Sequence, residues 1–98
     1  MEDLDRKFEF VARHTTKGSA VTHREAIVFL AKDNIVPSML VFYRDECEKQ
    51  GVSKVQLHGI NLLIERVDRW RAENKKQLKL PDVDAGREHE QVCKVNKI

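Results

Sequence analysis

One stretch of apolar spacing constrains this chain more than any other feature. Leu57, Ile60, Leu63, Ile64, Val67 and Trp70 recur at intervals of three and four, the period that lines one face of an α-helix. Ser53 stands where an N-cap side chain accepts a free backbone N–H, so the spacing predicts a helix over about 54–74. A second stripe precedes it. Val36, Met39, Leu40, Tyr43 and Cys47 share a face at about 100° per residue, and Arg44, Asp45, Glu48 and Lys49 lie mostly off it. This predicts a helix over about 36–50. Asp33 or Asn34 can cap its start, and Pro37 is tolerated in the first turn, where its missing N–H has no intrahelical partner. Gly51 suits a left-handed closing residue. So short a link makes the two helices antiparallel neighbours.

The first third supports two readings. Phe8, Phe10 and Ala12 alternate within Lys7–Arg13, and Ala26–Ala31 is a short apolar run rich in β-branched and aromatic residues. Both features favour strands, with Thr15–Ala20 as the link. The expected fold is therefore α+β and mostly helical, an N-terminal β-hairpin packed on an antiparallel helical hairpin in the order ββαα. The alternative is an all-α bundle. Thr22-His23-Arg24-Glu25 has the form of a capping box that opens a helix, and Leu4, Phe8 and Val11 also fit a helical face.

Beyond Pro81 the chain turns polar and is interrupted by Gly86. Residues 1–80 are expected to form one small globular domain and 81–98 a flexible tail, because such a segment cannot bury enough apolar surface to offset chain entropy. Of the 98 residues, 41% are hydrophobic and 35% charged, and the formal net charge is +2. This balance argues against a wholly disordered chain. There is no apolar run of transmembrane length, and the acidic Met1–Asp5 start has no apolar signal region. Cys47 and Cys93 do not make a disulfide framework, so a cytoplasmic protein with reduced thiols is expected.

The residues that carry chemistry are sparse. His89 and Cys93 lie one helical turn apart, and Cys47 and His58 fall on facing helices, but no close pair of the kind that anchors structural zinc is present. No metal and no cofactor is expected. Cys47 sits near a helix C-terminus, whose partial negative charge disfavours a thiolate. Four glycines supply neither a phosphate-cradling loop nor a nucleophile elbow. No catalytic residue is assigned, and the chain reads as a protein that is not an enzyme.

Two other features point to binding. Phe42 flanks the first helical stripe and Val41 lies nearly opposite it, so both are candidate self-association residues. Arg66, Arg69, Arg71, Lys75, Lys76 and Lys79, set against Asp68 and Glu73, give residues 66–79 a net charge of +4, whereas residues 1–52 carry −1. This basic helix end is a candidate site for an acidic partner or nucleic acid, with Trp70 available to stack on a base. Lys and Arg late in a helix also complement its dipole, and Trp70 continues the apolar stripe. The expected function is that of a small interaction or regulatory protein, binding a protein partner or itself as a homo-oligomer. Nucleic-acid binding is the first alternative. A ligand site or small enzyme site at a subunit interface is the second. No membrane partner is expected.

Across roughly 26–82, Ala31-Lys32-Asp33, Pro37, Tyr43-Arg44 and Lys79-Leu80-Pro81-Asp82 give the chain a layout that resembles short uncharacterised proteins of phages and prophages. The resemblance implies a small accessory protein of a mobile element and carries no binding or catalytic residues with it.

Overall fold

The structure, a computed structural model, describes residues 2–81. The expected tail, with His89 and Cys93, lies outside the described residues apart from Pro81. In chain order the elements are strands β1 (Val11–Arg13) and β2 (Ala20–Thr22), helices α1 (Val36–Lys49) and α2 (Lys54–Glu73), and a 3-10 turn at Lys75–Gln77. The order is ββαα, an α+β fold that is mostly helical. The all-α alternative does not hold, because β1 and β2 pair antiparallel with Val11 opposite Thr22 and Arg13 opposite Ala20. The described residues fall into two compact units, 2–28 and Phe29–Pro81.

In the first unit the second strand lies earlier than the expected Ala26–Ala31. Gly18, at φ 73°, takes the left-handed conformation that lets the chain reverse within a few residues. The His14 and Ser19 backbones then pair at 2.7 Å. His14 Nδ1 accepts from the backbone N–H groups of Thr16 and Lys17. Pairing this close in sequence costs less loop entropy than a strand begun at Ala26. The capping-box sequence makes only one turn. Thr22 accepts the N–H groups of Glu25 and Ala26 at its carbonyl oxygen and that of Arg24 at Oγ1. The turn does not propagate, because the Val28 N–H is taken by Asp5 Oδ2 at 2.9 Å.

Asp5 organises this unit. It is 7% exposed. Its Oδ1 accepts the N–H groups of Lys7 and Phe8, and its own N–H donates to the His23 carbonyl. Burial opposes the charge, but the three backbone donors and nearby His23 outweigh it and hold the carboxyl below its ordinary value. Asp3 lies 3.6 Å from both His23 Nε2 and Arg24 Nε.

The second unit is a helical hairpin whose ends match the sequence reading closely. The N-cap of α1 is Ile35, with no side-chain cap, in place of the expected Asp33 or Asn34; Asp33 acts one step earlier, its Oδ1 accepting the Ile35 N–H and its carbonyl that of Val36. At the other end Gly51 adopts φ 84°. Its N–H reaches the Glu48 carbonyl and the Val52 N–H reaches that of Cys47, a Schellman closure. Ser53 then caps α2, its Oγ accepting the Gln56 N–H. At the far end Asn74 Nδ2 donates back to the Trp70 carbonyl at 2.8 Å.

A carboxylate whose folded pKa is lowered contributes stability that is complete above the ordinary aspartate value of about 3.9. That stability is lost as pH falls through the lowered folded value. Asp5→Ala is expected to destabilise the first unit by about 2 kcal/mol at pH 7. Amide exchange at Phe8 and Val28 measures the loss, and the gap between variant and wild type should close in strong acid.

Candidate functional site

The α1–α2 pair is built around an incomplete apolar seam. Val36 is the one apolar residue among the described residues that is buried, at 4% exposure. Along α2, Leu57, Ile60, Ile64, Val67 and Trp70 are half-buried on the predicted row. Trp70 therefore belongs to the seam and is not a free stacking platform. Along α1, Met39, Leu40 and Cys47 are half-buried, but Tyr43 turns outward. Arg44, expected off the face, takes its place and donates from Nη1 to Asn61 Oδ1 of α2 at 3.1 Å, while Nε and Nη2 hold Asp45.

Arg71 closes the pair at its open end. Its Nη1 donates to the carbonyl oxygens of Ala31 at 2.9 Å and Asp33 at 3.0 Å, and Nη2 donates to Asn34 Oδ1 at 3.0 Å. Beside it the Asn34 N–H meets the Lys79 carbonyl and the Lys79 N–H meets that of Lys32, a short parallel bridge. The end of α2 is thus tied to the chain leading into α1, which fixes the helices as antiparallel.

These contacts divide the basic cluster. Arg71 is engaged in the fold. Arg66 and Arg69 are exposed on α2, Lys75 and Lys76 lie in the 3-10 turn, and Lys79 lies in the bridge with its residue exposed. The six cations therefore come from three elements and do not share one helix face.

The apolar surface left open is substantial. Phe42 is 68% exposed, and Tyr43 and Val55 are also well exposed. Two open grooves flank the helix pair. One runs past Pro37, Val41, Phe42 and Ile64, with Asp45 and Asp68 at its rim. The other runs past Tyr43, Cys47, Gly59, Ile60 and Leu63, with Arg66 at its rim. Val41 and Phe42 therefore share one groove, although helical spacing sets Val41 nearly opposite the stripe. Both grooves are open to solvent, and no group of three or more His, Cys, Asp or Glu able to hold a metal occurs among the described residues. Cys47 is a half-buried free thiol. No helix among the described residues is long and apolar enough to cross a membrane.

Arg71→Lys keeps the charge but removes the planar fork that reaches two carbonyls and an amide at once. It is expected to cost about 2 kcal/mol, read as a lower thermal midpoint. Arg69→Ala, on the exposed face of the same helix, should change stability by less than about 0.5 kcal/mol.

Comparison of the chain with protein-family models, with curated proteins and with solved structures finds no match, so the resemblance to phage proteins gains no support there.

Proposed function

We propose that the chain is a small non-enzymatic interaction protein that acts in the cytoplasm by self-association through its helix pair. The observation that carries this reading is the imbalance of the second unit. One apolar residue, Val36, is buried, while Phe42, Tyr43, Val55 and Leu63 remain exposed along α1 and α2. A helical hairpin gains most of its stability from burying an amphipathic face, and this pair leaves much of that surface in water. Exposed apolar surface flanked by polar residues is the usual form of an association site. Val41 and Phe42 form the patch assigned to contact between copies. A role as an accessory protein of a phage or other mobile element is carried by the sequence resemblance alone.

Light scattering coupled to size exclusion tests the reading. The wild-type chain should show an average mass that rises with loading concentration. Phe42→Glu should shift it toward the monomer by placing a charge in the contact, with helical circular dichroism unchanged because Phe42 is largely in solvent. A monomer mass at every concentration for both proteins rejects self-association.

A further inference from the structure

The two grooves differ in a way that says how copies would meet. The first presents a knob, the exposed Phe42 ring, beside an acidic rim. Arg44 already holds Asp45, so Asp68 is the rim carboxylate with no partner among the described residues. The second presents a hollow. Gly59 is an exposed residue in the second turn of α2, and a Cβ built there would meet nothing within 4 Å. Ile60, Leu63 and Tyr43 line the groove around it, and Arg66 at its rim has no charged partner among the described residues. The fold itself has no contact that requires glycine at this position, and glycine inside a helix weakens it relative to alanine.

We propose that these grooves are the two halves of one head-to-tail interface between copies of this chain. Phe42 of one copy enters the Gly59 hollow of the next, and Asp68 of the first faces Arg66 of the second. Pairing the first groove with its own equivalent would bring acidic rims together, and pairing the second would bring two Arg66-bearing rims together. Pairing unlike grooves instead matches knob to hollow and anion to cation. Such an interface is not self-complementary. Each added copy leaves one knob and one hollow unused, so association continues beyond a dimer to a ring or an open filament.

This arrangement rests on the self-association reading, and charge exchange separates the two. Asp68→Arg and Arg66→Glu should each reduce the concentration-dependent mass growth seen by sedimentation velocity. An equimolar mixture of the two variants should restore it, because each altered rim then meets its complement. Gly59→Leu fills the hollow with a better helix former. It should raise the thermal midpoint of dilute, monomeric protein while weakening association by about tenfold or more. A merely helical role for position 59 would leave association unmoved. Self-association that stops at a dimer, an Arg66→Glu variant that assembles like wild type, or a mixture that fails to recover overturns the head-to-tail interface and leaves self-association standing. A strictly monomeric wild type overturns both.

Discussion

The Arg71 guanidinium is the contact on which the helical hairpin depends. Two helices of 14 and 20 residues joined by a tight turn are fixed at the turn by the Schellman closure and the Ser53 cap. At the far end the buried Val36 and the half-buried Val67 and Trp70 supply the apolar contacts. There the fork of Arg71 gathers two backbone carbonyls and an amide oxygen from the chain ahead of α1. The Lys79 backbone adds two hydrogen bonds alongside. A polar clasp thus reinforces the apolar contacts at this end. Asp5 does comparable work in the first unit, where one carboxylate collects three backbone N–H groups in a segment with little regular structure.

Polar clasps hold a chain in place, but they contribute little of the driving force that burial supplies. Net gains from hydrogen bonds are about 1 kcal/mol each, whereas fully burying one large apolar side chain is worth about 1.5–3 kcal/mol. With Val36 its one buried apolar residue, the second unit draws on partial burial along a single seam. In the proposed reading the same residues that leave it short of a core, Phe42, Tyr43 and Leu63 among them, supply the surface for association. On this account the deficit and the function have one origin.

The helical hairpin was legible in the sequence because its signals are local and agree. Gly51 and Ser53 fix the turn, and the two stripes fix the faces. Both helices start at the residue their spacing predicts, and each ends one residue earlier. The roles of Arg44 and Arg71 were not legible, because hydrophobic periodicity treats any charged residue as outward-facing. Arg71 donates only to groups far off in sequence, and Arg44 sends one of its donors to Asn61 across the pair, contacts that no spacing rule can predict. The same blindness overstated the basic cluster by counting Arg71 with the exposed cations. In the first third, composition is most strand-like at Ala26–Ala31 and points to a second strand there. Pairing instead followed the turn at Gly18 and placed the strand at Ala20–Thr22, and the capping box spent its signal on one turn. The knob and the hollow were half visible. Phe42 stood out as an apolar residue off the face, whereas Gly59 draws notice only beside the groove it lines.

Hydrogen exchange of the full chain at low and high concentration tests the account most directly. If another copy covers the helix pair, exchange at high concentration should slow in peptides spanning 38–47 and 56–66 and stay unchanged in the hairpin over 11–22. Identical exchange of the helix peptides at both concentrations would contradict the claim that the exposed apolar surface of α1 and α2 is an interface.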